Sequence, residues 1–154
     1  MEINIGISDQ KRRVVADGLS GYLANLYSLY LKTQNFHWNV TGSEFYSLHL
    51  LFEKHYEAMA EEIDEVAERI RSLGMMVDAS FSSFKKLSSI GEEHKKLTSK
   101  DMLLYLIEGH QVLIRQGRSV SEEAEHAQDC GTVDMMGRRM GEHEKMLWML
   151  RSQV

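Results

Sequence analysis

There is no proline anywhere in the 154 residues of this chain. Proline removes a helical N–H and clashes with the preceding turn, at about 3 kcal/mol in a helix interior, so nothing in the sequence forces a long helix to stop. Ten methionines, with abundant Leu, Ala, Glu and Lys, lose little side-chain freedom on becoming helical. The expected fold class is therefore all-α. The length suits one domain spanning residues 1–154. With 43% apolar and 27% charged residues, the chain has the balance of a globular protein rather than a disordered one.

Four long helical stretches are expected. The first runs from about Asp9 to Asn39, with Val15, Leu19, Tyr22, Leu23, Leu26, Leu29, Tyr30 and Phe36 at three- and four-residue spacings. Asn39–Ser43 reads as a turn with Ser43 as N-cap of the second helix, which continues to about Leu73 and ends on Gly74. Residues 75–97 form a connector, in which Phe81, Phe84 and Leu87 suggest a short amphipathic helix, because a bare loop of that length is unusual. The third helix begins at Thr98 or Ser99, with Asp101 completing a capping box, and reaches about Gln128. After a turn at 129–132, the last helix runs from about Val133 to Arg151. The methionines read as core filler more readily than as metal ligands.

No apolar run approaches the roughly 20 residues a membrane-spanning helix needs. The segment Met1–Asn4 lacks a basic region followed by an apolar one, so no signal peptide is expected. The single cysteine, Cys130, cannot close an intrachain disulfide and suits a reducing cytoplasm. A net charge of −5 excludes a generally basic, nucleic-acid-binding surface while leaving room for a local patch.

The chemistry concentrates between Asn35 and Arg71. Taking His49 as zero and about 100° per residue, Glu53, Asp64 and Glu68 fall at roughly 40°, 60° and 100°, one face of the second helix. His37, twelve residues before His49, can fold back beside it across the turn. Imidazoles with carboxylates and an open coordination position suit iron oxidation. A solvated helix carrying scattered acids fits the same residues. Distance sharpens the matter: Glu53 and Asp64 lie about 16 Å apart along a helix, so one chain cannot bring both to one metal. A two-fold partner can, if two copies of the second helix cross antiparallel near Ala58 and Met59.

The run Asn35-Phe36-His37-Trp38-Asn39-Val40-Thr41-Gly42, followed by His49, Glu53 and Asp64-Glu65-Val66-Ala67-Glu68-Arg69, resembles the signature of the Dps family of mini-ferritins. The likeness extends over nearly the whole chain, including Lys145-Met146-Leu147-Trp148. It implies a ferritin-like four-helix bundle with a short helix in the long crossover between helices 2 and 3. It also implies a cytoplasmic homo-oligomer, a hollow dodecamer whose two-fold interfaces oxidise Fe(II), preferably with hydrogen peroxide. Ferric mineral would be stored inside, protecting DNA and other cell components from oxidative damage. By this resemblance His37, His49 and Glu53 of one subunit bind iron together with Asp64 and Glu68 of its neighbour. Trp38 resembles the tryptophan beside the family's centre, where an indole intercepts stray oxidising equivalents; interface packing accounts for it equally well.

Some positions depart from the family. Glu53 stands where Asp is frequent, one methylene longer. Asp129 and Asp134 match the carboxylates that line the three-fold pore, while Cys130 and Gly131 occupy places where further acids occur. Glu57, Glu61 and Glu62 are candidates for lining the storage cavity. DNA-binding members use a lysine-rich terminal tail; here the only basic start is Lys11-Arg12-Arg13, and the sequence closes on Arg151-Ser152-Gln153-Val154, so direct DNA binding is not expected. A larger ferritin with its di-iron site inside each bundle needs two Glu-x-x-His motifs, and only Glu123-Ala124-Glu125-His126 fits. A non-catalytic shell or adhesin remains the rival from another class. A zinc hydrolase lacks its His-Glu-x-x-His spacing.

Overall fold

The computed structural model of the protein describes residues 3–92 and 96–154; Met1 and Glu2, and residues 93–95 of the connector, lie outside them. Among the described residues the chain is helical throughout its regular structure: α1 Asp9–Asn39, α2 Phe45–Ser72, α3 Phe81–Leu87, α4 Ser99–Ala127 and α5 Cys130–Arg151. The four long helices make the bundle, α1 packing on α2 and α4, and α4 on α5, with α3 lying against α1 in the crossover. The core takes the apolar stripe of α1 (Val15, Leu19, Tyr22, Leu26, Leu29, Phe36) against Leu48, Phe52, Met59, Val66 and Ile70 of α2. Each fully buried side chain of this kind contributes roughly 1.5–3 kcal/mol of transfer free energy. Five methionines, at 59, 102, 135, 136 and 140, are buried in that core, whereas Met76 is exposed.

The helix ends follow local chemistry. Ser8 caps α1 by accepting from Lys11 N. Thr98 and Asp101 form the expected capping box on α4, with Asp101 Nα donating to Thr98 Oγ1 and Thr98 Nα donating to Asp101 Oδ2. Gly74 follows α2 with φ of +90°, the left-handed conformation that closes a helix and favours glycine. Two ends differ from expectation. The chain turns at Gly42, φ +114°, with Phe45 N donating to Gly42 O, so α2 starts after Glu44 and Ser43 caps nothing. The last helix starts at Cys130 rather than Val133, because Asp129 is itself the N-cap.

The crossover helix α3 forms where expected, but only one of its three apolar positions is held in the fold. Phe84 packs against Tyr27 of α1 at 5.0 Å between ring centres, while Phe81 and Leu87 are exposed. What pins the crossover is Asn25 of α1. Its carbonyl accepts from the backbone N–H groups of Ser89 and Ile90 and from the Ser88 hydroxyl, and its amide donates to Gln116 of α4. No described helix is long and apolar enough to cross a membrane.

Candidate metal centre

His37 sits in the last turn of α1, and the tight connection through Val40 and Gly42 reverses the chain so that the second turn of α2 comes back beside it. The rings of His37 and His49 stack, 3.8 Å between centres and 17° from parallel. Each ring then binds the other residue's backbone: His37 Nδ1 lies 2.8 Å from His49 O, and His49 Nδ1 lies 2.9 Å from His37 O. A carbonyl oxygen can only accept, so both Nδ1 atoms carry the hydrogen. That leaves Nε2 of each ring as the nitrogen able to offer a lone pair, the arrangement that prepares a histidine to ligate a metal.

Two residues that the sequence reading did not single out clamp this pair. Tyr56 stands edge-on to His37 at 5.2 Å, and Phe45 lies 5.1 Å from His49. Tyr56 follows His49 by seven residues, two turns along the same helix face, which is the signal by which it was findable. Burial, and then the negative charges of Glu53 and Glu57, push the Tyr56 hydroxyl above its ordinary pKa and keep it a neutral donor.

Glu53 follows His49 by one turn and is half-buried; Asp64 and Glu68, further along α2, are exposed. The structure thus brings His37 and His49 together, with Glu53 on the adjoining turn, and leaves Asp64 and Glu68 apart. Among the described residues of one chain, no three His, Cys, Asp or Glu side chains converge on a point where they could hold a metal ion. Met59 is fully buried in its own subunit, so only the Ala58 side of that turn faces outward. Trp38, next in sequence to His37, is 63% exposed.

Two other acids lie elsewhere than expected. Glu62 does not line a cavity: it is 2% exposed inside the bundle, where Tyr22 donates to Oε1 at 2.6 Å and His143 Nε2 lies 2.8 Å from Oε2. Glu57 and Glu61 are exposed. Asp129 does not face a pore either; it is buried, caps Thr132 and pairs with Arg69. Asp134 is exposed and pairs with Arg138. Cys130 is exposed at the start of α5. The Glu123–His126 motif does not assemble a site, its histidine being exposed at the end of α4. In the basic run of α1, Arg12 is buried and donates to Leu73 O, and Arg13 pairs with Asp9, so these two guanidiniums serve the fold.

A ferritin-like domain family model matches residues 16–154. The chain is 39% identical over 145 residues to the DNA protection during starvation protein of Porphyromonas gingivalis, covering 94% of this chain and 91% of that protein. It is 41% identical over 154 residues to a low temperature-induced protein of Nostoc sp., covering 99% of this chain and 86% of that one. Among solved structures, the Dps protein of Vibrio cholerae O1, described as belonging to a broad superfamily of ferritin-like diiron-carboxylate proteins, superposes with a TM-score of 0.94 at 34% identity. That match covers 99% of this chain and 97% of the other.

Proposed function

Because this chain belongs to the Dps family of ferritin-like proteins, we propose that it is an iron-storage and detoxification mini-ferritin whose ferroxidase sites form between subunits. Fe(II) is the substrate. His37, His49 and Glu53 of one subunit bind it together with Asp64 and Glu68 of the two-fold partner, in a cytoplasmic dodecamer whose cavity takes the ferric product. The observation that carries this reading is the reciprocal pairing of His37 and His49, which fixes two imidazole lone pairs side by side on Nε2. It is supported by the incompleteness of the donor set among the described residues of one chain.

The geometry divides the work. The two imidazoles, oriented by backbone carbonyls, supply directional nitrogen donors, and the carboxylates offset the charge that iron gains on oxidation. Each of two ferrous ions gives up one electron. Hydrogen peroxide accepts both, its O–O bond breaks, and two protons complete two waters. One two-electron acceptor used in this way releases no hydroxyl radical, which is the protective function for DNA and other cell components. Trp38, next in sequence to His37 and exposed, would serve as the residue that intercepts stray oxidising equivalents.

The test is the stoichiometry of anaerobic Fe(II) oxidation on adding peroxide, beside a His37→Ala/His49→Ala variant. Two irons oxidised per peroxide, lost in an assembled variant, is the expected result. Oxidation by the wild type no faster than in buffer would remove the ferroxidase reading and leave a binding role for the shell.

A further inference from the structure

Inside the bundle, away from the outward face of α2, four helices meet at a second polar centre. Both oxygens of Glu62 are used there, one by the Tyr22 hydroxyl and one by His143 Nε2. The other nitrogen of His143, Nδ1, lies 2.9 Å from Nδ1 of His110. There the chain of hydrogen bonds stops. His110 is 0% and His55 2% exposed, yet His110 Nε2 and both ring nitrogens of His55 have no hydrogen-bond partner. Orphaned buried groups cost about 1–3 kcal/mol each, and a core of Leu, Met and Phe could have filled this space without them.

The hydrogens can be followed along the chain. The Glu62 carboxylate accepts from Tyr22 and from His143 Nε2–H, and one hydrogen lies between the two Nδ1 atoms. When that hydrogen sits on His110, the lone pair of His110 is on the orphaned Nε2.

Their spacing suits a shared ligand. The ring planes of His55 and His110 are nearly perpendicular, at 82°, with centres 5.9 Å apart. Two imidazoles bound to one cation at about 2.1 Å place their centres roughly 5 to 6.5 Å apart, for bond angles from tetrahedral to linear. We propose that His55 and His110 hold a divalent first-row transition cation inside the bundle, anchored through His143 by the buried carboxylate of Glu62. Neutral imidazoles favour Zn(II), Co(II), Ni(II) or Cu(II) over Mg(II) or Ca(II). The nearby carboxylate offsets part of the charge, in the outer-shell role it plays behind other metal-bound histidines. Only two imidazoles are offered, in keeping with the lack of any three converging donors among the described residues, and water completes the coordination. This centre is separate from the His37–His49 pair and does not depend on the role proposed for that pair.

Cobalt(II) is the probe. Chelator-stripped protein carrying His37→Ala/His49→Ala, so that the outer histidine pair cannot contribute, is titrated with Co(II) and followed by visible d–d absorption and metal content. One bound cobalt per chain, with bands that disappear when His55→Leu/His110→Leu is added, is expected. No cobalt retained after desalting, or bands unchanged by the leucine substitutions, would overturn the proposal. Because the leucine variant risks misfolding, anomalous diffraction at the cobalt edge from crystals of the His37→Ala/His49→Ala protein gives an independent answer. A peak about 2.1 Å from His110 Nε2 supports the site, and its absence there rejects it.

Discussion

Arg69 of α2 closes onto Asp129, the residue that opens α5, sixty positions away in the sequence. The same guanidinium donates from Nε to Thr132 Oγ1 at 2.9 Å, and the same carboxylate accepts from the Thr132 N–H at 3.1 Å. One buried acid is thus both helix cap and ion-pair partner. Gly131 lets the arginine in: a Cβ there would lie 3.3 Å from the guanidinium carbon.

Asp129→Ala removes the cap and leaves Arg69 without its partner. Loss of a cap costs about 1 kcal/mol, and stripping one member from a buried pair costs about 3–5 kcal/mol. Arg69 is partly open to water, so the expected total is about 3 kcal/mol, read as a shift in denaturation midpoint. Asp129→Asn keeps the cap, and about half of that loss is expected. Equal losses in the two variants would show that the ion pair alone matters.

The two halves of the proposed ferroxidase site lie on different chains, so inactive variants are expected to rescue each other. Subunits carrying His37→Ala/His49→Ala are mixed and reassembled with subunits carrying Asp64→Ala/Glu68→Ala. A mixed two-fold pair has one complete site and one doubly broken one, so random mixing restores about a quarter of the wild-type sites. Peroxide-driven Fe(II) oxidation in the mixture is the readout. No recovery in a correctly assembled mixture would mean that the site is built within one chain.

His55 predicts a pH dependence of stability in metal-free protein. Its pKa falls to about 4 in the folded state, against about 6.5 unfolded. The unfolded chain therefore binds the extra proton first, and stability drops as pH falls from 6.5 towards 4. From this group the loss is on the order of 3 kcal/mol, and His110, lowered for the same reason, acts in the same direction. His55→Phe should flatten the slope of unfolding free energy against pH across that window; an unchanged slope would exclude His55 as its source.

Trp38 and Trp148 are both well exposed in the single chain, at 63% and 65%. With Trp148→Phe, the emission reports Trp38 alone. Association through the end of α1 should shift that emission to the blue relative to dissociated subunits. The comparison is made across a dilution series with the oligomeric state followed by light scattering. An emission maximum that ignores assembly would place the contact elsewhere.

Helix existence was legible because it rests on local periodicity. The run Asp9–Asn39, the Thr98–Asp101 capping box and the Gly74 stop each depend on residues within a few positions of one another. The proximity of His37 and His49 was legible for the same reason, since only a short turn separates them. What stayed hidden depends on partners distant in sequence. Asp129 reads as a turn acid until Arg69 is beside it, and Glu62 reads as a surface acid until Tyr22, forty residues away, and His143, eighty-one away, are seen to bind it. His55 and His110, on α2 and α4, carry no motif that links them. Asp64 and Glu68 lie too far along α2 from His49 to be brought to it within one chain.

The buried line from Tyr22 through Glu62 and His143 to His110 takes one member from each of the four long helices. An all-apolar seam of Leu and Met tolerates sliding, since a helix displaced by one turn, about 5.4 Å, still meets hydrophobic neighbours. Here such a slip would strand a carboxylate, a phenol and two imidazoles in the dry interior at once. The line therefore acts as an axial key, whose energetic worth lies in the alternatives it excludes. Replacing it with well-packed leucines is expected to leave the helices stable but less certain of their level, and a shell built from copies can close only if every copy presents its faces at the same height.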